Sequence, residues 1–347
     1  MIDLLSDTVT VPTEEMRLAM FNAEVGDAGY GEDPTVNQLE ALAAKMLGKE
    51  DAAFVSSGCQ GNLTALLSHC PRGHEVILGD RSDLYDFEAG SVSAIGGLVL
   101  HPILTELDGR LSLDNLRSAI RDKHDYQCAP PGVIVLENTH CQSGGRVLPA
   151  SYIKEVHAFA DEHDLPLHLD GARVFNAAIA SRRTPAEVAA DFDSVMFSLT
   201  KGLAAPFGSI VCGSRPFIER VKRYRKLLGG GLRQAGIMAS AGIVALQTMV
   251  ERLSEDHRRA RLLAERIRAI PGVHLEPSVI ETNMVFFRFE RDGLSTAEFL
   301  SALSQRGARM GTLSEGVVRA VLHYLISDDD LEAIASAVQS VVQTKPL

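Results

Sequence analysis

The chain has 347 residues, enough for one large domain and a smaller second one. Hydrophobic residues make up 46% and charged residues 23%, which is ordinary for a globular protein. The formal charge of -11 and the absence of a Lys/Arg block argue against a nucleic-acid partner. No apolar run has membrane-spanning length, so we expect no membrane association.

The start of the chain and the cysteines indicate a compartment. The first residues lack the basic and apolar regions of a signal peptide. The cysteines are odd in number, scattered and free of C-x-x-C pairs, which fits a reducing compartment and argues against a zinc or disulfide framework. They are Cys59, Cys70, Cys128, Cys141 and Cys212. We therefore expect a cytoplasmic protein without a bound metal.

The first third of the chain predicts two capped helices and a possible anion site. Thr13 and Thr35 are the expected caps, and each precedes a helical pattern. A strand over 52–56 then leads through S-G-C-Q-G-N at 57–62 into a helix that runs to Leu67. A glycine turn between strand and helix offers free N–H groups and a favourable dipole to a phosphate. Glycines in such turns are also common for steric reasons alone, so this motif does not decide the function by itself.

The middle of the chain alternates strands and helices. Strands are predicted over 75–79, 97–102 and 133–137, and an amphipathic helix over 151–163. Residues 165–169 alternate like a strand and end in Asp170. Ligands of open α/β sheets bind at the carboxyl ends of strands. An aspartate at that position is suited to hold the protonated pyridine nitrogen of pyridoxal phosphate.

Lys201 lies directly after the next predicted strand, at 194–199. A desolvated lysine has a lowered pKa, which favours attack on an aldehyde and formation of a Schiff base. The alternative is a strand-end lysine that simply reaches back to solvent. The spacing of about thirty residues from Asp170 matches one β-α-β unit and favours the cofactor lysine.

The remainder of the chain predicts the end of a large domain and a small one. A strand at 209–213 and a basic helix at 215–228 precede the glycine triplet 229–231, which is either a hinge or a way to bring Arg233 close to an anion. Long helices over 234–270 lead to a strand at 282–290, a helix at 296–306 and a strand at 316–323. We predict an α/β fold with a mainly parallel, doubly covered sheet over 1–245 and an α+β domain over 246–347.

Seven ordered motifs together resemble one known family. They are S-D-T-V-T at 6–10, Y-G-E-D-P-T-V-N at 30–37, S-G-C-Q-G-N at 57–62, E-N-T-H at 137–140, H-L-D-G-A-R-V-F-N-A at 168–177, S-L-T-K-G-L-A-A-P-F-G-S at 198–209 and L-G-G-G-L-R-Q-A-G at 228–236. The chain resembles, almost end to end, the threonine aldolases of the β-eliminating lyase group. These are pyridoxal-phosphate enzymes of the aspartate-aminotransferase fold.

The resemblance implies a set of site residues and an assembly. The implied cofactor contacts are Gly58, Cys59, Gln60, Asp170, Arg173, Lys201 and Arg233, the last from a neighbouring subunit. The implied substrate contacts are Ser6, Tyr30, Arg173 and Arg319, with His140 also lining the substrate side. Lys201 would carry the cofactor aldehyde. The family is tetrameric with active sites at a dimer interface, and we expect the same homotetramer here.

Blander interpretations of three residues remain open. Arg319 is equally suited to an ion pair with an acidic surface group, and His140 to a hydrogen-bonded strand end. Cys59 is well explained as a packed small residue whose backbone N–H, rather than its thiol, meets the phosphate.

The chain departs from the family mainly on the substrate side. Asp83 stands where the family usually has a histidine over the cofactor ring, and Cys59 replaces the threonine of the phosphate turn. The family arginine after S-D-T-V-T is Val11, D-V-Y-G has become 28–31, and T-H-L-D has become 322–325. Fold and cofactor are therefore better founded than the substrate.

Three functions are compatible with these residues. The first is retro-aldol cleavage, or its reverse, of a β-hydroxy-α-amino acid such as L-threonine or L-allo-threonine to glycine and an aldehyde. Asp83, His140 or a bound water is then the candidate base, and Lys201, Asp83 and His140 are the candidate catalytic residues. The second is a divergent lyase of the same fold, acting by β-elimination, β-replacement, racemisation or transaldolase-type exchange. The third is a non-catalytic regulatory or scaffolding protein.

Overall fold

The computed structural model describes residues 1–291, 293–314 and 316–343. Its strands are β1 (Ile2–Asp3), β2 (Asp51–Val55), β3 (Glu75–Gly79), β4 (Val99–Ile103), β5 (Pro131–Glu137), β6 (Leu167–Asp170), β7 (Ser194–Ser198), β8 (Ser209–Gly213), β9 (Val273–Leu275), β10 (Met284–Phe289), β11 (Ala308–Arg309), β12 (Gly311–Ser314) and β13 (Val317–Val321). Its helices are α1 (Glu14–Phe21), α2 (Pro34–Leu47), α3 (Gly58–His69), α4 (Asp83–Asp86), α5 (Ser91–Ala94), α6 (Leu113–Ala119), α7 (Ala150–Glu162), α8 (Val174–Ser181), α9 (Pro185–Ala189), α10 (Arg215–Leu227), α11 (Gly236–Val244), α12 (Leu253–Arg268), α13 (Thr296–Gln305) and α14 (Asp328–Gln343).

A seven-stranded sheet carries the larger part of the molecule. Its strand order is β2-β8-β7-β6-β5-β3-β4, and β8 alone in this sheet runs antiparallel to its neighbours. Alternate residues of a strand point to opposite faces, so both faces are covered. Val195 and Phe197 pack in the core that contains α2, α7 and α8, whereas Met196 packs against α3 and α10 on the other face. The predicted mainly parallel, doubly covered sheet is confirmed.

A four-stranded antiparallel sheet, β12-β13-β10-β9, organises the C-terminal part of the chain. Its core includes α12, α13 and α14, and the rings of Phe287 and Phe299 meet edge to face at 6.1 Å between centroids. The domain boundary near 245 stays a prediction: it falls on a π-helical turn, Ala245–Met249, between α11 and α12. Residues 344–347 of the predicted small domain lie outside the described residues.

The N-terminal segment belongs to both parts of the molecule. Strand β1 pairs in parallel with β11, and Leu4 is fully buried in the core of the small sheet. Three residues later, Asp7 is fully buried against Arg173 of the large part. Residues 2–10 therefore form a segment that contacts both sheets, which we call the strap.

One predicted helix cap is confirmed and the other is wrong. Thr13 caps α1 by accepting a hydrogen bond from the Met16 N–H at 3.2 Å. Helix α2 is capped by Asp33 instead, which accepts from the Val36 N–H at 3.0 Å with Pro34 in the first turn. Proline is well tolerated at that first position, where its missing N–H is not needed. Thr35 lies inside the helix and donates its hydroxyl to the Glu24 carbonyl at 2.6 Å.

The described residues contain neither a membrane-spanning helix nor a metal-binding cluster. No helix among them is long and apolar enough to cross a membrane. They also contain no group of three or more His, Cys, Asp or Glu side chains placed to hold a metal ion.

Candidate active site

The carboxyl ends of β5, β6 and β7 meet at one edge of the large sheet because these strands are parallel and adjacent. Glu137 and Asp170 are register partners on β5 and β6, so their side chains lie side by side on one face. Lys201 follows the end of β7 by three residues. The structure thus brings the predicted Asp170 and Lys201 to the same edge.

Asp170 is almost fully buried and held by two donors. Its Oδ2 accepts from Asn62 Nδ2 at 3.1 Å and its Oδ1 from the Ala172 N–H at 3.2 Å. Burial raises the pKa of Asp170, and the Lys201 ammonium acts in the opposite direction. Each carboxylate oxygen has two lone pairs, so Asp170 can accept one further hydrogen bond from a protonated ring nitrogen.

Lys201 stands in a ring of acidic groups. Besides Asp170, its charge acts on the carboxyls of Asp7 and Glu88. Its backbone carbonyl accepts from the Thr10 hydroxyl at 2.9 Å, which ties the loop after β7 to the N-terminal strap. An amine fixed opposite Asp170 can hold a cofactor between the two groups.

Glu137 positions the residue that replaces the family histidine. Its buried carboxyl accepts from the Asp83 N–H at 2.8 Å and from the Cys141 N–H at 2.7 Å, and so joins the loops after β3 and β5. Burial raises the pKa of Glu137 well above its ordinary value, and the charge of Asp83 adds to this effect. Asp83 Oδ1 is itself buried without a hydrogen-bond partner. A buried polar atom normally has a hydrogen-bond partner. Asp83 Oδ1 is therefore free to accept a hydrogen bond from a ligand.

The predicted phosphate turn forms the start of α3. Ser57 caps the helix by accepting from the Gln60 N–H at 3.2 Å, and the first N–H groups of a helix have no intrahelical acceptor. Gln60 Oε1 accepts from both the N–H and the hydroxyl of Ser56, so this side chain closes the turn. The buried Ser209 Oγ has no partner, and a Cβ built on Gly58 would lie 3.9 Å from it. Cys59 is an exposed residue, but its thiol is partly buried, and this partial burial raises the pKa of the thiol.

Two arginines were predicted for the substrate carboxylate, and they differ in their freedom. Arg173 is buried and engaged by Asp7 through Nε at 2.8 Å and Nη2 at 2.7 Å. Arg319 Nη2 donates to the Leu5 carbonyl at 3.1 Å and Nη1 to Cys141 Sγ at 3.6 Å. Its buried Nε has no partner, and no carboxylate of the described residues forms an ion pair with it. Among the described residues, the interpretation of Arg319 as one partner of a surface ion pair therefore finds no support.

Ser6 and His140 are held by local contacts. Ser6 Oγ accepts from the Thr8 N–H at 3.2 Å and caps a short helical turn next to Asp7. His140 is buried, and its Nδ1 accepts from the Ser143 N–H at 3.2 Å. Burial lowers the pKa of His140 to about 4, although the Asp83 charge acts against this shift. The imidazole is therefore neutral near pH 7, and its proton lies on Nε2.

Tyr30 and Arg233 contact each other, and neither contacts Lys201. Arg233 forms an ion pair with Asp27 at 3.0 Å, and its guanidinium lies 6.0 Å from the centre of the Tyr30 ring. Tyr30 is 77% exposed. Both residues line an open cavity of about 450 Å³ between α2 and α10. Their predicted roles in a site remain predictions that depend on a neighbouring subunit.

Five residues of the site were given no role by the sequence analysis: Asp7, Asn62, Glu88, Glu137 and Ser209. Asp7 and Asn62 lie inside motifs that were recognised, S-D-T-V-T and S-G-C-Q-G-N. Their membership in these motifs was the available signal, and their burial was not evident from the sequence. Glu88 follows Asp83 by five residues, and its burial becomes evident only once α3 is packed over β6.

The residues at this edge fit pyridoxal phosphate. Asp170 matches the ring nitrogen, Lys201 matches the aldehyde, and the start of α3 with Ser209 matches the phosphate. The unpartnered buried atoms Asp83 Oδ1, Ser209 Oγ and Arg319 Nε have donors or acceptors to offer to the cofactor and its substrate.

The architecture and this site define a class, the pyridoxal-phosphate enzymes of fold type I. The threonine aldolase of Leishmania major superposes with a TM-score of 0.84 over 99% of this chain and 100% of that one, at 19% identity. Among curated proteins, low-specificity L-threonine aldolase 1 of Arabidopsis thaliana is 43% identical over 346 residues, which is 99% of this chain and 97% of the relative.

A second relative, the low specificity L-threonine aldolase of Escherichia coli K12, is 43% identical over 337 residues, which is 97% of this chain and 98% of the relative. The family model of the β-eliminating lyases matches residues 3–290. This chain belongs to the β-eliminating lyase family, a pyridoxal-phosphate-dependent lyase family, as the resemblance implied.

Proposed function

We propose that this enzyme cleaves a β-hydroxy-α-amino acid such as L-threonine or L-allo-threonine into glycine and an aldehyde, and catalyses the reverse reaction. The observation that carries the proposal is the arrangement at the sheet edge. The charge of Lys201 reaches the buried Asp170 there. Among the described residues, Arg319 Nε and Asp83 Oδ1 are buried without a hydrogen-bond partner. The curated relatives named above are low-specificity L-threonine aldolases, which supports the same reaction.

The side chains divide the work of this reaction. Pyridoxal phosphate, when bound, supplies an electron sink for the pair of electrons released by the Cα–Cβ bond. Asp170, held in place by Asn62, would accept a hydrogen bond from the protonated ring nitrogen, and Lys201 Nζ would hold the aldehyde. Arg319, with Ser6 and the remaining Nη1 of Arg173, binds the substrate carboxylate. Asp83 accepts the proton of the β-hydroxyl through its unpartnered Oδ1.

Asp83→Asn is expected to lower kcat by about 10²- to 10⁴-fold, because a well-placed base contributes that much. The substitution keeps the shape and the backbone bond to Glu137 but removes the basic oxygen. Steady-state kinetics with the best substrate measures the effect. Asp86→Asn, at an exposed carboxylate on the same helix, is the matched control and is expected to retain full activity. Full activity of the Asp83→Asn enzyme contradicts the assignment and leaves His140 or water as the base.

Arg319→Gln is expected to lower kcat/KM by about 10- to 100-fold, mainly through KM, because a charge-assisted hydrogen bond to the substrate is lost. Arg309→Gln serves as control, since Arg309 of β11 forms an exposed ion pair with Asp3 of the paired strand β1. An unchanged KM for the Arg319→Gln enzyme would place the substrate carboxylate elsewhere.

The reaction itself is tested by product analysis with L-threonine, L-allo-threonine and L-phenylserine. Equal amounts of glycine and aldehyde from at least one of them support the proposal. Ammonia with a 2-oxo acid (2-oxobutanoate from either threonine, phenylpyruvate from phenylserine) instead indicates β-elimination, and no product from any substrate favours the divergent-lyase alternative.

We further propose a cytoplasmic homotetramer with active sites at a dimer interface. Exposed apolar side chains on α1 and α11 support an assembly: Leu18 is 61%, Phe21 87% and Ile237 42% exposed. Such side chains close together favour burial against another subunit. The exposed Tyr30 and Arg233 have no contact with Lys201 of their own chain, which suits a contribution to a neighbouring site. Analytical ultracentrifugation tests the proposal, and a monomer at micromolar concentration contradicts it.

A further inference from the structure

Asp170 shares one amide group with a second buried carboxyl. The Nδ2 of Asn62 donates to Asp170 Oδ2 at 3.1 Å and to Glu88 Oε1 at 2.7 Å. Asn62 is fully buried, Glu88 is 8% exposed and Asp170 is 3% exposed. An amide NH₂ has two hydrogens, and Asn62 donates one to each of these carboxyl groups.

The orientation of that amide is fixed by a chain of hydrogen bonds that begins at its oxygen, Asn62 Oδ1. Asn62 Oδ1 meets His168 Nε2 at 3.2 Å, and His168 Nδ1 meets Ser194 Oγ at 2.7 Å. Ser194 Oγ in turn meets His69 Nε2 at 2.6 Å. These residues lie together because His168 and Ser194 are on the face of β6 and β7 that α3 covers. Rotation of the amide by 180° would turn its oxygen toward the carboxyl groups and its NH₂ toward His168, and both hydrogen bonds from Nδ2 to the carboxyl groups would be lost.

The direction of each bond follows from the chemistry of the groups. An amide oxygen can only accept, so His168 Nε2 carries a proton and donates it. Burial lowers the pKa of His168 to about 3, and burial also lowers the pKa of His69 well below its ordinary value, so both rings are neutral. A neutral His168 accepts at Nδ1 from the Ser194 hydroxyl, which accepts from His69 Nε2–H. Every bond in the chain therefore donates toward the two carboxyl groups.

The two carboxyl groups are not equivalent. Asp170 accepts a second hydrogen bond, from the Ala172 N–H, whereas Glu88 Oε2 is buried with no partner. Two adjacent negative charges in a buried site are costly, so one group keeps its proton. Glu88 has the fewer donors. Burial raises the pKa of Glu88 to about 8, the charges of Asp170 and Asp83 add to the shift, and Lys201 opposes it.

We propose that Glu88 is a positioning residue that holds a proton near neutral pH and, through the shared Asn62 amide, keeps a single negative charge on Asp170 to face the ring nitrogen of the cofactor. The neutral chain of His69, Ser194 and His168 holds the amide in place. Glu88 acts on the cofactor through Asn62 and Asp170. This inference rests on the proposed function only through the cofactor, and none of its readouts needs a substrate.

The test compares wild type with Glu88→Gln, which keeps an oxygen for Asn62 but cannot titrate. In the cofactor-free protein at pH 7, the wild-type-minus-variant infrared difference spectrum is expected to contain the C=O stretch of a carboxylic acid. Taking this difference removes the contribution of Glu137, which is present in both proteins. In the cofactor-loaded protein, the visible absorbance of wild type is expected to shift with a midpoint near pH 8 that the variant lacks.

Thermal unfolding of the cofactor-free protein provides an independent readout. The pKa of Glu88 rises from 4.5 to about 8 on folding. Its contribution to wild-type stability is therefore complete below pH 4.5 and is lost as the pH rises to about 8. The Tm of Glu88→Gln minus that of wild type is expected to increase across this window and then level off. Glu162→Gln, at an exposed glutamate of α7, is the control and should follow wild type at every pH.

Absence of the acid band from the difference spectrum, or parallel Tm curves, overturns the proposal. If Glu88→Gln does not fold, the wild-type infrared titration decides alone. Partial loss of the acid band with a midpoint near pH 8 supports the proposal, and a band that is unchanged between pH 6 and pH 9 overturns it.

Discussion

Lys201→Ala is expected to reduce kcat by about 10⁴-fold or more, on the scale seen when a covalent nucleophile is removed from an enzyme. The reason is geometric: Lys201 follows β7 at the edge where Asp170 ends β6, and its charge reaches Asp170, Glu88 and Asp7. Steady-state kinetics and the visible absorbance of the purified protein measure the loss of turnover and of the bound cofactor.

The control for this experiment is Lys45→Ala, at an exposed lysine near the end of α2, which should keep full activity and colour. Retention of the wild-type rate by Lys201→Ala would show that Lys201 is not the residue that holds the cofactor. Addition of a small primary amine is expected to restore part of the lost activity, because it replaces the missing nitrogen without a change in the fold.

Asp7→Asn is expected to lower the free energy of unfolding by about 3–5 kcal/mol, because removal of one partner of a buried ion pair leaves an uncompensated charge. The fully buried Asp7 accepts two hydrogen bonds from Arg173, and Asn283 Nδ2 donates a third at 3.2 Å. Urea unfolding of the cofactor-free protein measures the change. The control is Asp3→Asn, which breaks the exposed pair with Arg309 and should cost at most about 1 kcal/mol.

The same pair predicts a pH dependence. Burial raises the pKa of Asp7, but the ion pair with Arg173 outweighs this and holds the pKa well below the ordinary value of 3.8. The stabilisation is therefore complete above pH 3.8 and is lost as the pH falls further. Wild type and Asp7→Asn are expected to converge in stability only at strongly acidic pH. Convergence near neutral pH would show that Arg173 has another partner.

The sheet and the cofactor residues were predictable because their signals are local. The strands at 75–79 and 209–213 agree with the structure residue for residue, since short apolar runs between turn residues define them. Asp170 and Lys201 were found because each follows such a run. Their proximity then required only that parallel neighbouring strands end at one edge.

The network behind Asp170 was not predictable in the same way. Asn62 and His69 come from α3, whereas His168 and Ser194 come from strands more than ninety residues later. Each of these residues, taken alone, is an ordinary polar residue in an otherwise apolar helix or strand. Only the packing of α3 on one face of β6 and β7 turns them into a hydrogen-bonded chain.

One helix boundary was set by a local signal that the sequence analysis did not use, and two short strands were set by tertiary pairing. Asp33 rather than Thr35 caps α2 because Pro34 fixes the first helical position, a local signal that outweighs the preference of threonine for caps. The short strands β1 and β11 have two residues each and exist only through their mutual pairing. No periodicity can be detected over two residues, so the strap was invisible in the sequence.

The strap of residues 2–10 links the unfolding of the small sheet to the unfolding of the large one. Its one end is a strand and a core residue of the small part, and its other end holds the charge of Arg173 and the carbonyl of Lys201 in the large part. Detachment of the small sheet would pull Leu4 out of one core and Asp7 away from its buried arginine at once. Opening of either part alone is therefore energetically linked to the other, and slow amide exchange in the small sheet should report on the integrity of the cofactor site.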